Sequence, residues 1–226
     1  MSTVLITGAN RGIGLALAGC FVEAGWDVHA CCRHPEKATT LQSLGASVTI
    51  HRLDVTDMLQ TENLARSLSG VPLDILVNNA GAKEPGSAFG KVPYEEWSRV
   101  FAVNTMAPLH LAERFVGHLE TGSRKLIANI SSRMGSIGDN DSGGSYVYRS
   151  SKAALNMVTR SLSIDLADRG ISAIALHPGW VRTKMGGSNA KLETDVSANS
   201  LKELMLNLRP EDNGRLLNYD GEHIPW

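Results

Sequence analysis

Seven short apolar runs, separated by longer stretches with helical periodicity, constrain this chain more than any other feature. The runs fall at 4–7, 27–31, 48–53, 73–78, 125–130, 172–176 and 216–219, and each reads as a strand. The six segments between them read as helices. Apolar strands alternating with helices belong to a parallel sheet covered on both faces. The predicted fold class is therefore α/β and doubly wound, with about seven parallel strands. With 226 residues, 42% of them hydrophobic, the chain supports one large core, and a single domain over 1–226 is expected.

Charge gives no reason to expect a nucleic acid or an anionic membrane as partner, because 22 Lys and Arg face 23 Asp and Glu. Partners must be recognised locally, which points to a small molecule. The three cysteines, Cys20, Cys31 and Cys32, lack the paired spacings of a zinc site and form a poor disulfide framework. No metal is expected. Met1 leads within a few residues into the first strand and a glycine loop, without a basic region or long apolar run, so a cytoplasmic location is expected.

Directly after the first strand comes Thr7-Gly8-Ala9-Asn10-Arg11-Gly12-Ile13-Gly14, and then the helix-forming Leu15-Ala16-Leu17-Ala18. Glycines stand where the backbone must turn sharply and approach a ligand closely, and the helix that follows turns its amides and dipole toward an anion. At the first strand-to-helix junction of a parallel sheet, this pattern reads as the diphosphate site of a Rossmann-type dinucleotide-binding domain. At the end of the second strand, an NAD-preferring protein would offer a carboxylate to the ribose 2′-hydroxyl. Here the sequence is Cys31-Cys32-Arg33. Arg33 can instead fork onto a 2′-phosphate with Arg11 beside it, so NADP(H) is predicted over NAD(H); the alternative is that both arginines are solvated surface residues. Asp54, followed by Val55, ends the third strand and is placed to accept from an adenine amino group.

Tyr148 and Lys152 stand four residues apart in a segment with the period of a long helix, which puts both side chains on one face. A phenol with a reference pKa of about 10 must fall by roughly 3 to exchange protons near neutrality, on the order of 4 kcal/mol. One cation at about 4 Å in an effective dielectric of about 20 supplies on the order of 4 kcal/mol. Lys152 alone is thus expected to lower the Tyr148 pKa far enough. The rival Tyr146 is followed four residues on by the uncharged Ser150. The strand at 125–130 ends in Ser131-Ser132, at the sheet edge where open α/β folds bind ligands, and a serine hydroxyl there can hold a substrate oxygen. Pro108 cannot donate the usual helical bond to the Asn104 carbonyl, which leaves either a water-binding carbonyl or a plain proline kink between packed helices.

Together these residues resemble the short-chain dehydrogenase/reductase family over nearly the whole chain. The matching motifs are Thr7 to Gly14, Asp54, Asn78-Asn79-Ala80-Gly81, Asn104, the second serine of Ser131-Ser132, Tyr148 with Lys152, and Pro178-Gly179 followed by Thr183. The resemblance implies hydride transfer between a nicotinamide and a carbonyl or alcohol. Tyr148 would exchange the substrate proton, Lys152 would lower its pKa and hold the nicotinamide ribose, and Ser132 would orient the carbonyl. Asn104 would anchor a water in a proton relay, Asn79, Ala80 and Gly81 would support the cofactor, and Pro178, Gly179, Val181 and Thr183 would line the nicotinamide. The loop at 133–145 and the ending at 218–226 further resemble the C-factor-like or sniffer-like carbonyl reductases. That branch implies an aldehyde, ketone or quinone substrate, and it keeps open a second reading: a C-factor-type signalling or sensor protein with incidental turnover.

About a dozen residues separate Thr183 from the last helix, which is expected to start near Val196. The segment at about 184–196 is a short substrate loop, implying an open and undiscriminating pocket. His177 reads as a packed structural histidine, Trp180 either lines the pocket or covers core, and Met157, Leu162 and Leu166 recur at helical spacing and read as a face buried against the sheet or a partner subunit. A homodimer or homotetramer, packed through the long helices around Asn104 and Tyr148, is the oligomeric state the resemblance suggests.

Overall fold

A computed structural model of the protein describes residues 2–84 and 86–226. All seven predicted runs are strands: β1 Thr3–Thr7, β2 Asp27–Cys32, β3 Val48–Arg52, β4 Ile75–Asn78, β5 Leu126–Ile130, β6 Ser172–His177 and β7 Leu216–Asn218. They pair in parallel in the order β3-β2-β1-β4-β5-β6-β7. An eighth strand, β8 His223–Ile224, folds back antiparallel on β7. It is too short to show a sequence period. The chain winds outward from β1 in one direction and, from β4, in the other. This reversal opens a crevice at the carboxyl ends of β1 and β4, where ligands of such sheets bind.

Helices cover both faces. On one, Leu17 and Phe21 of α1 (Gly12–Glu23) and Leu201 of α7 (Thr194–Leu206) pack on Val4, Ile6, Val28 and Ala30. The short α2 (Thr39–Gln42) adds Leu41 to this layer. On the other face, Leu64 of α3 (Met58–Ser67), Phe115 of α5 (Ala107–Thr121) and Leu162 of α6 (Tyr146–Asp165) pack on Leu5, Leu76 and Ile127. Phe21 and Phe115 are almost completely buried, each worth roughly 1.5–3 kcal/mol of removed apolar surface.

Asp57 caps α3 by accepting from the Gln60 amide at 3.1 Å. The helical stretch around Asn104 and Pro108 is built from three pieces: α4 (Tyr94–Phe101), a π-helical turn (Ala102–Met106) and α5. The Ala107 amide donates to the Ala102 carbonyl, five residues back, and Pro108 falls in the first turn of α5, where its missing N–H costs little. Of the two alternatives at Pro108, the plain proline kink is replaced by a π turn. Met157 does not share the buried face of Leu162 and Leu166; it is 66% exposed, whereas they pack into the core. No described helix is long and apolar enough to cross a membrane.

Candidate active site

The glycine loop closes over the carboxyl end of β1. Gly8 and Gly12 have φ of +64° and +55°, which only glycine adopts without strain. A side chain on Gly14 would meet the Asn79 amide nitrogen at 2.4 Å and the Gly8 carbonyl at 2.5 Å, so this turn and the β4 loop can fit together only around a glycine. Thr7 Oγ1 accepts from the Asn79 and Ala80 amides, both at 3.0 Å, while Asn79 Nδ2 donates to the Thr7 and Gly8 carbonyls at 2.8 and 3.2 Å. Asn79 and Ala80 thus brace the loop from behind. Arg11, extended and exposed, makes no side-chain cap, which leaves the α1 amides free for an anion. The uncapped helix and the glycines fit a dinucleotide diphosphate.

At the second strand end, Arg33 is exposed and its carbonyl accepts from Arg52 at 3.3 Å; Arg52 also pairs with Glu36 at 3.0 Å. Asp54 Oδ1 accepts from the Thr56 amide and hydroxyl at 3.0 and 2.7 Å. Burial works to raise the Asp54 carboxyl, but these bonds and the nearby Arg33 bring it below its ordinary value. Arg33 and Asp54 therefore lie together at this corner. Across the cleft, the Gly179 turn has φ +84°, and Thr183 approaches Gly12 closely enough that a Cβ there would lie 3.4 Å from its methyl group. Pro178 is anchored by Ser197 Oγ, which donates to its carbonyl at 2.7 Å.

β5 delivers the two serines with opposite fates. Ser131 Oγ donates inward to Asn156 at 2.6 Å, whereas Ser132 stays at the strand end, its Oγ accepting from the Met134 amide at 3.1 Å. Beside it, α6 presents Tyr148 and Lys152 on one face, 9% and 4% exposed. Gly135 makes this approach possible, because a Cβ there would lie 2.7 Å from the Lys152 backbone. Lys152 Nζ donates to the Ile130 carbonyl at 2.7 Å and lies 5.9 Å from the Tyr148 ring centre.

One expectation is corrected here. Burial pushes the Tyr148 phenol up to about 12, with the Ser132 hydroxyl pulling against it and the Glu84 carboxylate adding to it. Burial also lowers the Lys152 ammonium to about 8. Burial is the largest influence on the phenol in this arrangement, and the Lys152 ammonium is directed to the Ile130 carbonyl. A Tyr148 held as neutral phenol is a proton donor.

Asn104 lies buried in the π turn. Its side chain accepts from the Ala82 amide and donates to the Ala82 carbonyl, both at 2.8 Å, and donates to Ser151 Oγ at 2.9 Å. It therefore clamps the loop after β4 to the tyrosine helix. Trp180 is 55% exposed, its indole N–H donating to the Gly186 carbonyl at 2.8 Å, so it covers no core. The segment after Thr183 is folded back by a bridge between Val181 and Leu192 and an Arg182–Glu193 ion pair, and α7 begins at Thr194, two residues earlier than expected. His177 is largely buried, and burial first, then Arg133, lowers its pKa to about 4. The three cysteines are free, and no cluster of metal-ligating side chains occurs among the described residues.

Sequence reasoning passed over three residues around Tyr148. The Lys83 ammonium lies 5.6 Å from its ring centre, Glu84 is buried nearby, and Arg149 ties the loop before α6 through Gly143 and Ser142. Only the fold brings Lys83 and Glu84 to Tyr148, from more than sixty positions away along the chain.

A doubly wound sheet with a glycine-braced anion cradle at its switch point, and a Ser, Tyr and Lys set at the end of β5, defines a nicotinamide-dependent oxidoreductase. Comparison narrows the class: the short chain dehydrogenase family matches residues 2–194. The chain belongs to the short-chain dehydrogenase/reductase family. Among relatives, the C-signal protein of Myxococcus xanthus is 42% identical over 155 residues, spanning 69% of this chain and 93% of that one. Carbonyl reductase Sniffer of D. melanogaster superposes with a TM-score of 0.96 at 33% identity, all of both chains being covered. NADPH-bound carbonyl reductase from chicken fatty liver gives 0.94 at 36% identity, covering 100% of this chain and 99% of that one.

Proposed function

We propose that the protein is an NADPH-preferring carbonyl reductase acting on aldehydes, ketones or quinones. The observation that carries this reading is the convergence of Ser132, Tyr148 and Lys152 on one sheet edge beside the glycine cradle, with Tyr148 held protonated. When bound, the reduced nicotinamide supplies the hydride. The Ser132 hydroxyl holds the substrate carbonyl oxygen, and Tyr148 Oη delivers the proton that converts it to a hydroxyl. The phenolate so formed is stabilised by the Ser132 hydroxyl, while the Lys152 ammonium, bonded to the Ile130 carbonyl, keeps two further N–H groups for the nicotinamide ribose. Asn104 positions the loop after β4 against α6, and its backbone carbonyl is the site proposed for the relay water.

Arg33 and Arg11 support the NADPH preference, since the corner beyond β2 offers cations where an NAD site needs a carboxylate. The folded-back segment after Thr183 serves as the short substrate loop. A second copy of the chain would cover Met106 of the π turn together with Met157 and Ile164 of α6, all exposed apolar side chains. The similarity to C-signal supports a second reading, a cofactor-binding signalling protein. NADPH consumption over a panel of aldehydes, ketones and quinones separates the two: the reductase loses about 100-fold or more of its rate on Tyr148→Phe. Equal rates in the two proteins favour the signalling reading.

A further inference from the structure

Four cations stand on the two segments that carry or face Tyr148, residues 79–84 and 131–152, and three of them are committed within the protein. Lys152 donates to the Ile130 carbonyl at 2.7 Å, and Arg133 pairs with Asp139 at 3.0 Å. Arg149 gives its guanidinium to Ser142 Oγ and to the Gly143 and Met134 carbonyls. Lys83 differs. Its ammonium lies 5.6 Å from the Tyr148 ring centre, and it enters no ion pair among the described residues. Glu84, its neighbour in the chain, is buried and accepts from Ser87 Oγ instead.

The backbone that carries Lys83 is fixed, although its side chain is exposed. Ala82 is held on its amide and on its carbonyl by Asn104, both at 2.8 Å. On the other side, the Ser87 carbonyl accepts from the Ser145 amide at 2.7 Å, which ties the loop after β4 to the start of the tyrosine helix. The base of the lysine is therefore held in place while its flexible stem leaves the charge free to move. Lys152 lies at a similar distance from the same ring, 5.9 Å, but is buried and hydrogen-bonded, whereas Lys83 is open to solvent. A substrate whose carbonyl oxygen is bonded to the Tyr148 hydroxyl comes within the sweep of the Lys83 ammonium.

We infer that Lys83 is a specificity-determining residue that receives a carboxylate carried by the substrate, so that the favoured substrates are carbonyl compounds bearing a carboxylate away from the reacting carbon. An unpaired cation close to the reacting hydroxyl draws anions to the site and offers a bound carboxylate a charge-assisted partner. This rests on the carbonyl-reductase reading above and deepens it. It also adds a charge preference to a pocket expected to be undiscriminating.

The test compares 4-formylbenzoate with its methyl ester as NADPH-dependent substrates of the full chain, and reads the ratio of their kcat/KM values at low salt. Any influence of Lys83 on the Tyr148 phenol acts on both aldehydes and cancels in that ratio. Lys83→Met should lower the carboxylate-to-ester ratio by about three- to tenfold, Lys83→Glu should lower it further, and Lys83→Arg should keep it within about twofold of wild type. Raising the ionic strength to about 0.5 M should bring the wild-type ratio toward that of Lys83→Met and leave the variant's ratio nearly unchanged. A Lys83 that only supports the loop would alter both aldehydes alike, so a ratio unchanged in Lys83→Met overturns the inference, as does a wild-type ratio indifferent to salt. Turnover of the ester alone, or of both aldehydes with an unchanged ratio, upholds the reductase reading while refuting the Lys83 role; turnover of neither refutes both.

Discussion

The Asn104 side-chain amide donates to the Ser151 hydroxyl at 2.9 Å, and Ser151 in turn donates to the Tyr148 carbonyl at 2.8 Å. This contact joins the π turn to the tyrosine helix, while the rest of the Asn104 amide holds Ala82 in the loop after β4. Substrate side, cofactor side and proton donor are coupled through one buried side chain.

Asn104→Ala should therefore act on both stability and rate. It strands the Ala82 amide and carbonyl in a half-buried place, at up to about 1–3 kcal/mol for each group left unpaired. The expected outcome is a melting temperature lower by roughly 5 °C or more, with kcat falling further than the loss of folded protein explains. Thermal unfolding and steady-state rates on the same sample check this, and a variant with unchanged kcat removes Asn104 from the coupling.

Gly14→Ala tests the cradle. Its Cβ would stand 2.4 Å from Asn79 Nδ2 and 2.5 Å from the Gly8 carbonyl, so backbone has to move on one side or the other. A loss of about 1–3 kcal/mol in stability is expected, together with weaker binding of NADPH followed by fluorescence titration. Gly25→Ala, where a Cβ meets nothing but the φ is also positive, serves as a control for backbone strain alone.

Replacing Arg33 by Asp should reverse cofactor choice. Losing one charge-assisted contact to the 2′-phosphate, and placing a carboxylate there instead, costs NADPH about tenfold or more in kcat/KM relative to NADH. An unchanged NADPH-to-NADH ratio would show that Arg33 is a solvated surface residue.

Acid should destabilise the fold before it reaches its carboxylates. His29 Nδ1 and His51 Nε2 lie 2.9 Å apart across β2 and β3 and share one proton; burial, then the neighbouring His29 charge, takes His51 down to about 4. His177 is likewise brought to about 4. Each is held neutral in the folded chain, while the unfolded chain binds a proton near pH 6.5, so their stabilisation is complete above 6.5 and is lost as pH falls toward 4. Asp212, lowered to about 2 chiefly by its bond from Arg209, gives way only below that window. The melting temperature should fall between pH 6.5 and 4, with a shallower slope in His51→Gln; a flat profile contradicts this account.

Much of the fold was legible because its signals are local. Each strand run is apolar over its own few residues, Asp57 announces a helix start, and the glycines of 8–14 stand where one tight turn requires them. Tyr148 and Lys152 share a face through helical spacing alone. The π turn was not legible, since Pro108 permits both a kink and an i→i+5 register and packing chooses between them. Nor was β8, whose two residues carry no period.

The ionisation of Tyr148 shows where the sequence ends and the tertiary structure begins. Spacing placed a lysine within reach of a phenol, and simple electrostatics predicted a lowered pKa. The folded chain buries both groups, gives the ammonium to the Ile130 carbonyl and brings Glu84 to the tyrosine from more than sixty positions away, so the phenol rises instead. The residues and their spacing came from the sequence. Desolvation and long-range neighbours exist only once the chain has closed on itself, and they decided that Tyr148 waits as a proton donor beside a carboxylate with one oxygen unpaired.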